Sequence, residues 1–163
     1  MKPPFSIEKL KKYFSYDPIT GSWRRILFSP RQHNNRKLGH LTKEGYLRFT
    51  VFGGRYLAHV LAWFYMTGVW PDRIVDHKDN NPGNMKWKNL RLATSVQNKA
   101  NSKCRSDNVL GIKGVCRVRG FWRARIYVSG KSVHLGYFTS VQEAHNCYME
   151  AATQQFGEFA RPK

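Results

Sequence analysis

The sequence predicts an α+β protein in two successive parts, and two stretches carry that expectation. In the first, Asp76-His77 closes a short β-branched run and Asn89 opens a second strand-like run, Leu90-Arg91-Leu92-Ala93. Thr94-x-x-Gln97 then forms a helix start of the capping-box type, so the order is strand, long loop, strand, helix. In the second, over residues 111–161, three strand-like segments joined by Gly-containing turns precede one amphipathic run. That pattern predicts a small three-stranded antiparallel sheet packed on one helix.

Residues 1–45 read as a basic N-terminal leader. Ser6 caps a short helix candidate, Tyr16-Asp17-Pro18-Ile19-Thr20-Gly21 is a turn, and residues 22–28 form a short strand. A polar, basic stretch follows at 29–43, within which residues 31–37 suit a phosphate backbone and equally a solvated loop. The next part spans residues 46–101. Its run LAHVLAWFYMTG is helix-like and ends at Gly68, and a lone histidine in such a run, His59, reads as a packed residue rather than a catalytic one. Asp79-Asn80-Asn81-Pro82-Gly83-Asn84 is turn chemistry, in which Asn and Asp satisfy their own backbone. Residues 102–110 form a polar linker.

In the last part, residues 111–163, Trp122, Ala124, Ile126 and Val128 alternate with Phe121, Arg123, Arg125 and Tyr127, which gives one apolar and one polar strand face. Arg117 and Arg119 alternate with Cys116 and Val118 on the preceding strand. Val141, Ala144, Tyr148, Ala151 and Ala152 make a helical stripe that would cover the apolar face, with Trp122 in the core. Thr139 with Gln142 marks the helix start and Gly157 its stop. Arg117, Arg119, Arg123, Arg125 and Tyr127 are then expected on one exposed face, suited to phosphates and guanine edges in a DNA groove. The sheet reads as presenting no pair of stacking aromatics on its central strands, which favours duplex over single-strand contact.

The chemistry concentrates at Asp76, His77, Asn89 and Asn98. A carboxylate and an amide oxygen are hard donors suited to Mg²⁺ or Mn²⁺, which keeps several waters and takes only one or two protein carboxylates. Asp76 and Asn98 fit that role. Histidine accepts a proton near neutral pH, so His77 fits a general base for water attacking phosphorus. Asn89 is placed to accept from or position the imidazole.

Residues 46–98 resemble the HNH endonucleases, in particular the homing-endonuclease branch in which the last motif letter is Asn. The resemblance is carried by GYLRFTVFGGRYLAHVLAWFYMTG, VDHKDNN, NLRLAT and QN. It implies a ββα-metal core, His77 as general base, Asp76 and Asn98 as metal ligands, Asn89 as the residue that orients the base, and 5′-phosphate and 3′-hydroxyl ends. Residues 111–163 resemble the DNA-binding domain of plant ethylene-response factors, the APETALA type, through GVCRVRG, HLGYFTSVQEA, YMEAA and FGEFA. Gly120-Phe121-Trp122 departs from the tryptophan-glycine spacing of the plant domains, so their sequence preference does not carry over.

Composition agrees with a polyanionic partner. The formal charge is 28 minus 10, or +18, on 163 residues, and the excess is spread along the whole chain. The apolar run at residues 57–66 is too short for a bilayer, and no signal peptide precedes the first helix, so a cytoplasmic protein is expected, in the host cell if phage-encoded. Three cysteines, Cys104, Cys116 and Cys147, lack Cys-x-x-Cys pairing and indicate neither a disulfide framework nor a zinc ribbon. The expected function is a phage-type or homing DNA endonuclease, monomeric rather than dimeric and nicking because one chain holds one site. Double-stranded DNA is its partner, with no membrane and no small-molecule cofactor. A DNA-binding regulator with a degenerate nuclease core and an RNA-binding protein are the rival classes.

Overall fold

The computed structural model describes residues 5–26, 38–105 and 107–161. The basic stretch at 31–37 and the end of the expected strand at 22–28 lie outside them. The chain divides into two compact units, Met1–Thr94 and Ser95–Lys163. Among the described residues the elements are mixed, four α-helices and small antiparallel sheets.

The first unit opens with α1 (Ile7–Tyr13), capped as expected by Ser6, whose Oγ accepts from the Lys9 amide at 3.3 Å. The hairpin β1 (Phe14–Tyr16) and β2 (Trp23–Arg25) follows, its turn held by Asp17, which accepts from the Ile19 amide at 2.9 Å and the Thr20 hydroxyl at 2.6 Å. Strands β3 (His40–Leu41), β4 (Leu47–Val51) and β5 (Gly54–Leu57) make an antiparallel sheet in that order and lead into α2 (Ala58–Thr67). Gly68 ends α2 at φ 71°, a left-handed cap that glycine adopts without a Cβ penalty. The unit closes with the antiparallel pair β6 (Ile74–His77) and β7 (Leu90–Ala93), the strand–loop–strand that the sequence predicts.

The expected separation of a leader from the following part does not hold for residues 5–26. Phe5, Leu10, Phe14, Tyr16 and Trp23 are buried in the same core as Phe49, Val51, Leu61, Phe64, Val75 and Leu90. A seven-residue helix and two three-residue strands cannot enclose their own aromatic rings, so the rings bury against α2 and β4. This segment also braces the loop between β6 and β7. The Tyr16 hydroxyl donates to the Met85 carbonyl and the Trp87 amide to the Pro18 carbonyl at 2.9 Å. Gly21 makes the approach possible: it has φ 77°, and a Cβ there would lie 2.5 Å from the Met85 carbonyl carbon.

The second unit holds α3 (Ser95–Asn101), β8 (Val115–Val118), β9 (Phe121–Val128), β10 (Lys131–Phe138) and α4 (Val141–Phe156). The three strands form an antiparallel sheet in the order β10-β9-β8, as expected. Val115, Ala124 and Ile126 bury against Ala144, Tyr148 and Ala152 of α4, and Trp122, Val141 and Ala151 pack at the edge of that core. The helix start lies one residue later than the sequence reading placed it. Ser140 caps, its Oγ accepting from the Glu143 amide at 3.1 Å, while Glu143 reaches back to the Ser140 amide at 3.3 Å.

The expected alignment of arginines on one face is corrected. Strand β8 ends at Val118, and Arg119 (φ 49°) and Gly120 (φ 87°) form a two-residue turn. That turn sets the register Val118↔Phe121, Arg117↔Trp122 and Cys116↔Arg123. Residues directly opposite in an antiparallel pair share a face, so Arg117 lies on the Trp122 side, its guanidinium 5.6 Å from the indole ring, and Arg119 lies in the turn. Arg123, Arg125 and Tyr127 do share the other face. A second expectation also falls: that face carries exposed Phe121 and Tyr127 on the central strand and exposed Tyr137 beside them.

Candidate active site

Asp76 and His77 end β6, where the register pairs them with Arg91 and Leu90 of β7. Strand alternation would send neighbouring side chains to opposite faces, yet both are buried, because the hairpin is covered on each side. The Arg91 guanidinium Nε donates to Asp76 Oδ2 at 3.0 Å, with only 8% and 6% of the two side chains exposed. The two side chains form a buried ion pair that ties the end of β6 to β7.

His77 sits among rings. Its imidazole packs on that of His59, with centroids 4.8 Å apart, and Tyr46 lies 5.2 Å from His59 and 5.8 Å from His77. Burial pushes the His77 imidazole below the usual histidine range, while the Asp79 and Asp76 carboxylates pull it back toward that range. A neutral ring at pH 7 is the form that accepts a proton. Burial, together with the neighbouring His77, pushes His59 down to about 3.

The loop after His77 is built on Asp79 and Asn89. Asn89 Nδ2 donates to Asp79 Oδ1 at 2.9 Å and to the Asn84 carbonyl at 2.8 Å, and its oxygen accepts from the Asp79 amide at 3.1 Å. The Asn89 carbonyl accepts from the Lys78 amide at 2.8 Å, and the His77 carbonyl from the Asn80 amide at 2.8 Å. Asn89 is thus bonded to the loop that follows His77 through both its side chain and its backbone. Burial pushes the Asp79 carboxyl up, but hydrogen bonds from Asn84, Asn81 and Asn89 and the charge of His77 hold it below its ordinary value. The Asn81 amide bond to Asp79 Oδ1, at 2.9 Å, is the self-satisfying turn that the sequence predicts.

Asp76, His77 and Asn89 thus come together on the β6–β7 hairpin, whereas Asn98 lies on α3 in the second unit. Among the described residues no group of three or more His, Cys, Asp and Glu side chains is placed to hold a metal ion. The donor set nevertheless suits a hard divalent cation. A carboxylate offers about four lone-pair sites, so donation by Arg91 to Oδ2 is compatible with a cation on the same group.

Sequence reasoning missed Arg91, Asp79 and Tyr46, whereas His59 is the packed residue it was read to be, buried against His77. Arg91 becomes visible only once the hairpin register is known, and Tyr46 only once β4, β5 and α2 are folded against β6. Asp79 alone had a local signal, its place two residues before Asn81 in a turn.

Residues 56–100, which cover α2 and the β6–β7 hairpin, match the HNH endonuclease family. Over 124 residues the chain is 32% identical to a protein of Acanthamoeba polyphaga mimivirus named as an uncharacterized HNH endonuclease, covering 76% of this chain and 65% of that one. Over 76 residues it is 36% identical to protein 3.8 of Escherichia phage T7, covering 45% of this chain and 63% of the phage protein. The chain therefore spans less than two thirds of the length of either relative. No solved structure matches it. Among the described residues no helix is long and apolar enough to cross a membrane.

Proposed function

We propose that this chain is a metal-dependent DNA endonuclease of the HNH type, with His77 as general base. The observation that carries the reading is the buried Asp76-His77 pair at the end of β6, inside the segment that matches the HNH endonuclease family. In this reading β6, β7 and α3 supply a ββα-metal core, and Asp76 and Asn98 hold Mg²⁺ or Mn²⁺. The bound cation supplies Lewis-acid stabilisation of charge on the phosphoryl and leaving oxygens.

The chain's own residues do the rest. Neutral His77 takes a proton from a water molecule as the water oxygen bonds to phosphorus. The bond from phosphorus to the 3′ oxygen breaks, leaving a 5′-phosphate and, after the 3′ oxygen gains a proton from solvent, a 3′-hydroxyl. Asn89 and Asp79 fix the loop that aims the imidazole. Arg91 balances the Asp76 charge when no cation is bound.

Double-stranded DNA is the substrate, and the second unit, with its resemblance to ethylene-response-factor domains, holds DNA through Arg123, Arg125 and Tyr127. Viral relatives favour a phage-type or homing enzyme that works as a nicking monomer in the host cytoplasm. The test is incubation with supercoiled DNA and Mg²⁺ or Mn²⁺, with a chelator control and mapping of the cut ends. Nicked circles with 5′-phosphate ends are expected. Cleavage that persists in chelator, or near-normal nicking by His77→Ala, overturns the reading.

A further inference from the structure

The solvent face of the second unit's sheet carries rings at successive rows. Phe121 occupies the first row, and Tyr137 lies opposite Arg123 in the second. His134 lies opposite Arg125 in the third, and Tyr127 occupies the fourth. The register slip between His134 and Gly136 brings His134 and Tyr137 onto the same face, where their rings touch with centroids 4.8 Å apart. Phe121 is 51% exposed, Tyr137 56% and Tyr127 59%. Solvent-facing rings of this size contribute little to the core, which α4 completes on the opposite face.

Two features single out one occupant. Arginines stand between the rings, so the face pairs π surfaces with positive charge, the combination that takes bases on one side and phosphates on the other. The ammonium of Lys99 adds charge 5.8 Å from the Tyr127 ring. Rows on one strand face are also about 6.6 Å apart, roughly twice the 3.4 Å advance of a strand within a duplex. Stacked, paired bases do not match that spacing, whereas splayed bases of an unpaired strand do.

We propose that this face binds single-stranded DNA, stacking unpaired bases on Phe121, Tyr137, His134 and Tyr127 with Arg123 and Arg125 on the phosphates. The proposal rests on the reading of the chain as a DNA-acting protein and specifies the form of DNA that the second unit takes. It gives the nuclease a substrate in which unpaired DNA adjoins the duplex that is cut.

The experiment is a binding titration of the full chain in chelator with one fluorescent oligonucleotide in three forms: single-stranded DNA, its duplex, and RNA of the same sequence. Single-stranded DNA is expected to bind tightest. Tyr137→Ala should weaken it by roughly 5- to 100-fold while duplex binding changes little, and Tyr127→Ala should weaken it by a larger factor than it weakens duplex binding. Tyr127→Phe and Tyr137→Phe should restore wild-type affinity, since stacking and not the hydroxyl carries the contact. Thermal melts establish that the exposed substitutions leave folding intact. Equal losses for duplex and single strand overturn the proposal, as do unchanged affinity in both alanine variants and RNA binding equal to that of DNA. Cleavage is absent in chelator, so failure here leaves the nuclease reading standing, and loss of nicking in Mg²⁺ with intact single-strand binding overturns only the nuclease reading.

Discussion

The imidazole rings of His59 and His77 meet edge to face, with centroids 4.8 Å apart and planes inclined by 66°. One lies on α2 and the other at the end of β6, so packing within the core fixes the orientation of the proposed base. His59 is held neutral by burial, its pKa pushed from 6.5 to about 3. An unfolded chain therefore binds a proton at His59 that the folded chain refuses between those two values, and this contribution to stability is complete above about pH 6.5 and lost as pH falls toward 3. The loss approaches ~1.4 kcal/mol per pH unit within that window. Urea denaturation at pH 7, 6, 5 and 4 should show a steeper fall for the wild type than for His59→Phe. Parallel pH dependences would show that His59 is not held neutral.

Asp76 and Arg91 predict a linkage between cation and stability. Arg91→Ala leaves a buried carboxylate without its guanidinium and should destabilise the first unit by ~3–5 kcal/mol. If Asp76 is a metal ligand, Mg²⁺ or Mn²⁺ should raise the melting temperature of Arg91→Ala more than that of the wild type, because the cation replaces the lost charge. The measurement is Tm against metal concentration for wild type, Arg91→Ala and Asp76→Ala. A metal-induced shift in Arg91→Ala that persists when Asp76 is also removed would place the cation elsewhere.

Asn89→Ala removes two donors and one acceptor from the loop, stranding the Asn84 carbonyl, the Asp79 amide and one bond to the Asp79 carboxylate. A destabilisation of ~1–3 kcal/mol is expected from the unsatisfied groups. Nicking should fall as the loop loosens, and hydrogen exchange at residues 78–89 should quicken. Unchanged exchange in that segment would separate Asn89 from the positioning of His77.

Arg117 and Arg125 lie on opposite faces of the second unit's sheet, and salt titration reads the difference. Arg125→Ala should lower affinity for any DNA sequence and reduce the salt slope by about 1, the loss of one phosphate contact. Arg117→Ala should change the slope by much less, because its guanidinium stacks beside Trp122 on the helix side. Reversal of the two effects would mean that the DNA runs along the helix side.

The sequence by itself determined the elements with strong local signals. The β6–β7 strands and the long loop between them followed from β-branched runs flanking turn residues, α2 from an unbroken apolar run ended by glycine, and the second unit from period-two alternation followed by an amphipathic helix. That Asp76, His77 and Asn89 fall on one hairpin was legible for the same reason, since they lie at fixed offsets within it. Tertiary structure alone decided what depends on distant segments. Phe5 to Trp23 joined the first core because short elements cannot bury aromatic rings unaided, and Arg91 met Asp76 only through strand register. His59 and Tyr46 reached His77 only when separate elements packed together. On the second sheet the two-residue turn at Arg119 and Gly120 set the pairing and moved Arg117 to the other face, because side-chain direction in a strand follows parity, and parity is decided by the turn.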